Sequence, residues 1–65
     1  MVFVSNSGSE YVIAKIEGKE RYTPARRTKH GLRRMYLKKA RTWATFEEAQ
    51  AWLYKYAQKR GWRVL

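Results

Sequence analysis

The sequence predicts an α+β domain with a small antiparallel sheet of three to four strands. One C-terminal amphipathic helix packs on one face of the sheet, and a short final strand follows the helix. Three observations predict this class. A capped segment with helical periodicity follows Thr45, β-rich runs separated by turn residues fill the first half, and 65 residues without Cys allow only one small core. We therefore expect a single domain over residues 1–65, with residues 1–9 either frayed or forming an extra strand.

The helix is predicted over Phe46–Arg60. Thr45 is a good N-cap residue, and Glu48 three positions later completes a capping box. Gly61 stands where a left-handed C-cap belongs, after two basic residues of the last turn. The apolar positions recur at helical spacing and are Phe46, Ala49, Trp52, Leu53, Tyr56 and Ala57.

The first half of the chain predicts a β-hairpin. Residues 11–16 form a β-rich run, and Gly18 can supply the positive φ of a tight turn before a second strand. Pro24 lacks a backbone donor, so we expect that second strand to lie at an edge or to be bulged at this point. Side chains alternate between the faces of a strand, and we assign one alternating set to the core, namely Val12, Ala14 and Ile16.

The segment between the hairpin and the helix carries two periodicities. Gly31 marks a turn, residues 35–39 fit a helical turn, and residues 40–44 alternate as a strand does. Residues 62–65 alternate as a short last strand does. Besides the strand set above, the predicted core contains Trp43, Phe46, Ala49, Trp52, Leu53, Tyr56, and either Trp62 or Val64.

The residue types that catalysis requires are scarce. His30 is the only His, there is no Cys or Asp, and the five acidic residues fall in the hairpin and at the helix cap. Nucleophilic catalysis needs a base that a third group orients, and a zinc site needs several Cys or His ligands. We therefore predict a protein that is not an enzyme, without metal or cofactor.

The composition also indicates a location. The lack of Cys fits a reducing compartment, and no run approaches the ~20 apolar residues of a membrane span. The opening "MVFVSNSGS" lacks the basic and apolar segments of a secretion signal. We expect a cytoplasmic protein with no membrane partner.

The basic residues are the strongest functional signal. The formal net charge is +10, and residues 21–41 contain nine Lys and Arg but no acid. Such a surface attracts polyanions, and Arg favours bidentate contact with phosphate. We predict that the sheet face away from the helix and residues 24–39 carry this charge. Tyr22 can either stack on an unpaired base or pack in the core. The candidate nucleic-acid-binding residues are Lys19, Arg21, Tyr22, Arg26, Arg27, Lys29, Arg33, Arg34, Lys38, Lys39 and Arg41.

Two resemblances add to this interpretation. The segment "TWATFEEAQAWLYKYA" resembles the end of the arm-site DNA-binding domains of tyrosine-type phage integrases, on Thr45, Glu48 and Ala49 after an aromatic residue. That family inserts its sheet into the major groove, which implies strand cations as readers, here Arg21, Arg26, Arg33 or Arg34. The longer pattern "YVIAKI-EGKERY … YLKKARTWATFEEAQAWL … GWRVL", from Tyr11 to the C-terminus, is similar to small phage and prophage proteins of unknown function that begin with a hairpin. The matching residues are Leu37, Ala40, Arg41, Trp43, Thr45, Glu48 and Ala49.

These observations lead to two functional hypotheses. The first is a non-catalytic nucleic-acid-binding domain of phage or mobile-element type, with DNA favoured over RNA. The second is a small phage-type accessory or inhibitor protein whose basic surface binds an acidic host protein. In both cases the compartment would be the cytoplasm of a bacterial host cell. Pro24 and the charge disfavour edge-to-edge pairing of two copies, so a monomer is favoured.

Overall fold

The computed structural model describes residues 1–35 and 41–65. Within these residues one helix packs on one face of a five-stranded antiparallel sheet, so the α+β class, the C-terminal helix and the short strand after it are confirmed. The elements in chain order are β1 (Phe3–Val4), β2 (Glu10–Lys15), β3 (Tyr22–Thr28), β4 (Gly31–Arg34), α1 (Phe46–Arg60) and β5 (Arg63–Val64).

The two ends of the chain meet in the sheet. The strand order is β4-β3-β2-β1-β5, so β1 lies between the hairpin and the last strand. Phe3 is opposite Tyr11 on one side and Val64 on the other. Residues 1–9 therefore contribute a strand, and this strand joins the C-terminal residues to the rest of the sheet.

The core lies between α1 and the sheet. Phe3, Leu53 and Ala57 are fully buried there, and Tyr11 and Ile13 pack against them. The prediction that Val12, Ala14 and Ile16 form the core face of β2 was wrong: these residues lie on the face away from the helix. Both alternating sets of β2 contain apolar residues, and the bulkier pair, Tyr11 and Ile13, faces the helix because it buries more area there.

The helix begins and ends as predicted. Thr45 Oγ1 accepts a hydrogen bond from the Glu48 backbone N–H at 3.2 Å and donates one to Glu48 Oε1 at 3.1 Å. Gly61 has a φ of 70°, the left-handed conformation that favours glycine. Its N–H bonds the Gln58 carbonyl and that of Trp62 bonds the Ala57 carbonyl. This cap reverses the chain, so that Trp62 returns to the sheet.

Pro24 interrupts the ladder on one side of β3. This strand lies between β2 and β4 rather than at an edge, but β4 ends where it reaches Pro24. The Pro24 carbonyl accepts from Met35 N at 3.0 Å, and the donor that Pro24 lacks belongs to the same side. Pairing resumes at Tyr22, whose N–H and carbonyl both bond Trp43, at 2.8 and 2.9 Å.

The segment between the hairpin and the helix differs from its prediction. Gly31–Arg34 is a strand, because it pairs with β3 through a tight turn, whereas the predicted helical turn over residues 35–39 lies outside the described residues beyond Met35. The predicted strand over residues 40–44 is reduced to one bridge at Trp43, with Ala40 outside the described residues.

The remaining core predictions divide by residue size. Ala49 and Leu53 are fully buried, whereas Phe46 and Val64 are 40% and 38% exposed. Trp43, Trp52, Tyr56 and Trp62 are half-buried. Of the predicted core residues, Ala49 and Leu53 therefore lie at the centre, and Trp43, Trp52, Tyr56 and Trp62 line its border.

Candidate nucleic-acid interface

Strand register places two arginines next to Tyr11. Tyr11 of β2 is opposite Arg26 of β3, and Arg26 is opposite Arg33 of β4. Residues directly opposite each other in an antiparallel sheet point to the same face. Both arginines therefore extend from the helix side of the sheet, beyond the point where α1 covers it.

This pair of arginines is unfavourable for folding. Like charges directly opposite on neighbouring strands are destabilising. Among the residues that the structure describes, neither Arg26 nor Arg33 forms an ion pair. No carboxylate among the described residues therefore compensates this repulsion. An anion-binding site requires positive charge that is uncompensated in this way.

The acidic residues lie elsewhere. Glu10 binds Arg27 at 3.1 Å on the opposite sheet face, and Glu20 binds Lys15 at 3.1 Å near the β2–β3 turn. Glu47 and Glu48 occupy the first turn of α1. Their separation from Arg26 and Arg33 concentrates positive potential at the β3–β4 end of the molecule.

Five aromatic rings form a continuous row along the border of the core. Their successive centroid separations are 5.1, 5.1, 5.4 and 4.7 Å, in the order Trp43, Trp52, Tyr56, Trp62 and Tyr11. We call these five rings the aromatic row. The last pair, Trp62 and Tyr11, is stacked with an interplanar angle of 20°. Every ring in the row is half-buried, so each one both supports the fold and reaches the surface.

The arginines and one end of the aromatic row enclose a pocket of about 410 Å³. We call it the arginine–aromatic pocket; its lining residues are Tyr11, Arg26, Arg33, Arg34, Met35, Tyr56 and Trp62. None of the described residues that line it is acidic. Arg60 adds a further cation at its border, with Cζ 4.5 Å from the centroid of the Tyr56 ring. The pocket therefore offers aromatic surface and guanidinium donors side by side.

The structure brings together only part of the predicted basic site. Arg26 and Arg33 meet at the arginine–aromatic pocket, and Lys29 is in the neighbouring β3–β4 turn. Arg34 borders the pocket, but its pairing with Ala25 sets it on the open sheet face. Arg27 is on the other face, paired with Glu10. Lys38 and Lys39 lie outside the described residues.

The other predicted residues serve the opposite end of β3. Lys19 is in the β2–β3 turn, and Arg21 donates to Thr42 Oγ1 at 2.9 Å and to the Thr42 carbonyl at 3.0 Å. Arg41 is exposed, and its carbonyl accepts from Thr23. Tyr22 is half-buried and meets Phe46 edge-on at 6.2 Å, which is a packing contact.

Sequence reasoning missed the aromatic half of the pocket. Trp62 was assigned to the core alone, and Tyr11 was placed on the face away from it. The signal was present in the predicted cap: a left-handed Gly61 turns the chain back, and this reversal carries Trp62 to the sheet. The proximity of Tyr11 and Trp62 could not be predicted from the sequence, because it depends on the pairing of β1 with β5.

The sheet face away from the helix is less basic than predicted. Its centre carries Val12, Ala14 and Ala25, and its charges are Arg27, Arg34 and Arg63 with Glu10. Arg26 and Arg33, two of the readers that the integrase resemblance implies, project from the helix side instead. Among the described residues, the predicted cations are therefore divided between the two faces, and the directly opposed pair, Arg26 and Arg33, is beside the helix.

Residues 1–35 and 41–65 also bear on metal binding and on membrane insertion. They contain no group of three or more side chains of the types that hold a metal ion. No helix in the described part of the chain is both long and apolar enough to cross a membrane. No known family model, curated protein or solved structure matches this chain.

Proposed function

We propose that this protein is a non-catalytic nucleic-acid-binding domain of phage or mobile-element type, with DNA favoured over RNA. The arginine–aromatic pocket is the observation that carries the proposal. Arg26 and Arg33 face each other without a carboxylate partner among the described residues, and they adjoin the half-buried rings of Tyr11 and Trp62. The phage or mobile-element setting is supported by the resemblance of the segment from Trp43 to the C-terminus.

A phosphate backbone fits this arrangement for electrostatic reasons. Guanidinium groups bind phosphate oxygens in bidentate geometry, and each neutralised phosphate releases condensed counterions. Bound phosphate would also remove the repulsion between Arg26 and Arg33. Lys29 in the neighbouring β3–β4 turn and Arg60 over the Tyr56 ring add positive charge that a strand several nucleotides long would meet.

The salt dependence of binding tests the proposal. Two phosphate contacts from Arg26 and Arg33 would make log K fall against log salt with a slope of about −1.4 to −1.8, at about 0.7–0.9 per contact. We expect this slope in fluorescence-anisotropy titrations with labelled DNA between low and physiological ionic strength. Dissociation constants in the millimolar range for duplex DNA, single-stranded DNA and RNA alike, at physiological ionic strength, would refute the proposal.

An acidic host protein is the competing partner. The observation that favours it is a cleft of about 320 Å³ on the open sheet face, where Leu32 is 52% exposed beside Arg34. An apolar contact bordered by Arg is common at protein interfaces. Pull-down from a nuclease-treated bacterial lysate separates the two functions: an identified partner that persists supports the protein interface, and loss of all partners supports nucleic acid.

A further inference from the structure

We infer that the arginine–aromatic pocket takes an unpaired base, so that the ligand is single-stranded nucleic acid rather than a duplex. The inference rests on the proposed function and goes further, because phosphate contacts alone do not distinguish single strands from duplexes. What distinguishes them is the position of aromatic surface inside a concave site. Three of the residues that line the pocket are Tyr11, Tyr56 and Trp62, and all three are half-buried.

The shape of the site suits a planar aromatic group. The pocket encloses about 410 Å³, within the range of about 300–1,000 Å³ that is usual for small-molecule sites. Rings of Tyr and Trp stack on any base because every base has a π-face. Guanidinium planes such as those of Arg26 and Arg33 stack on bases as well, and they also reach the flanking phosphates.

The rings are held in place before any ligand arrives. Trp62 stacks on Tyr11 at 4.7 Å and meets the edge of Tyr56 at 5.4 Å, while Tyr56 stacks on Trp52 at 5.1 Å. The backbone on both sides is fixed, since Trp62 N bonds the Ala57 carbonyl at 2.9 Å and Tyr11 lies within β2. Because the three aromatic rings of the pocket are held in place beforehand, less entropy is lost when a base binds.

A duplex cannot stack its bases on these rings in the same way. Its bases are paired and stacked, and extruding one costs a few kcal/mol. The open sheet face is not covered by α1 and is free to enter a major groove. Its centre is apolar, however, at Val12, Ala14 and Ala25. Duplex binding is therefore limited to phosphate contacts at the rim, whereas a single strand gains the base contact in addition.

The decisive experiment compares three single strands of equal charge, and a duplex with twice their phosphates, on the unaltered protein. Four ligands are titrated at about 0.15 M salt, where long-range electrostatics is screened beyond about 8 Å. They are a thymidine strand of twelve nucleotides, a fully abasic strand with the same phosphates, a uridine strand of the same length, and a duplex of twelve base pairs. We expect the thymidine strand to bind about 5- to 140-fold more tightly than the abasic strand, the factor that stacking of one base implies.

Each outcome separates this inference from the proposed function. Equal affinity for the thymidine and abasic strands, or a duplex whose affinity per phosphate exceeds that of the thymidine strand, overturns base insertion but leaves phosphate binding intact. Failure of every ligand to bind overturns both. Tighter binding of the uridine or of the thymidine strand identifies RNA or DNA as the source of the base, and either result supports the pocket if the abasic strand binds more weakly.

A pair of matched variants locates the effect. Tyr11→Leu removes a ring of the pocket but keeps an apolar side chain against the core, whereas Tyr54→Leu removes a ring from α1, where Tyr54 contacts Phe3 at 6.5 Å, away from the pocket. We expect Tyr11→Leu to lose most of the difference between the thymidine and abasic strands and Tyr54→Leu to keep it. Circular dichroism checks that both variants fold. Loss of the difference in both variants, or in neither, contradicts the assignment of the base to this pocket.

Discussion

Replacing Phe3 by alanine is expected to remove a large part of the protein's free energy of unfolding at 25 °C. Phe3 is fully buried, packs against Leu53 and Ala57, and lies in the strand that joins β2 to β5. Truncating a buried Phe costs about 3–5 kcal/mol. A domain of 65 residues has a free energy of unfolding of only about 3–10 kcal/mol, at about 0.05–0.15 kcal/mol per residue. The substitution therefore removes a large part of the total stability.

The other phenylalanine provides the control for this prediction. Phe46 is 40% exposed and makes one edge-on aromatic contact, with Tyr22, so Phe46→Ala should cost about 1 kcal/mol. Urea unfolding followed by tryptophan fluorescence measures both variants. Equal stability losses in Phe3→Ala and Phe46→Ala would show that the N-terminal strand does not close the core.

Neutralising both arginines of the cross-strand pair is expected to weaken nucleic-acid binding at least about tenfold at physiological ionic strength. The double variant Arg26→Gln, Arg33→Gln removes two charge-assisted contacts, and one hydrogen bond to a charged group contributes about 1.5–3 kcal/mol net. Its salt slope should fall by about 1.4–1.8 in magnitude, because two fewer counterions are released. Anisotropy titration across salt concentrations measures both quantities.

The same double variant should fold at least as stably as the original chain. Like charges on directly opposite residues oppose pairing by about 0.2–1 kcal/mol, and glutamine relieves that repulsion. If the pair serves binding, its removal lowers affinity while stability stays equal or rises. If these arginines instead have a structural role, both affinity and stability should fall. Denaturant unfolding of the two proteins measures this difference.

A second double variant, Lys55→Gln, Lys59→Gln, controls for net charge. It removes an equal number of positive charges, two, from exposed positions of α1. Neither residue lines the pocket. We expect less than about a threefold change in affinity, because distant exposed charges are screened at physiological salt. A loss equal to that of the arginine variant would mean that total charge, and no particular site, governs binding.

How far the sequence predicts this molecule depends on whether a feature is local. The helix was predictable to its last residue, because Thr45, Glu48 and Gly61 act on the backbone within four positions of themselves. Which face of β2 packs against the helix was not predictable. Side chains alternate along a strand, and when both alternating sets contain apolar residues the pattern does not say which set is buried. Ile13 and Val12 were equally suitable in composition, and only the packing of α1 selected Ile13.

The candidate site combines local and long-range features in the same way. The Arg-rich composition of residues 21–41 was evident, but their register was not. The sequence predicts a turn at Gly31 and no strand directly after it, and only the pairing of Gly31–Arg34 with β3 sets Arg33 opposite Arg26. Tyr11 and Trp62 are 51 positions apart in sequence, and they meet because β1 joins β2 to β5. Contacts of that separation have no signal in a single sequence.

Mapping the ligand onto the protein by NMR tests the central claim most directly. The measurement is a titration of the isotope-labelled protein with the thymidine strand, following the backbone amides and the tryptophan indole N–H groups. We predict that the largest shift changes occur at Arg26, Arg33 and the Trp62 indole, and that Lys55 and Val12 change little. Largest changes on the outer face of α1, on the open sheet face or at the turn that carries Lys19 would contradict the arginine–aromatic pocket as the binding site.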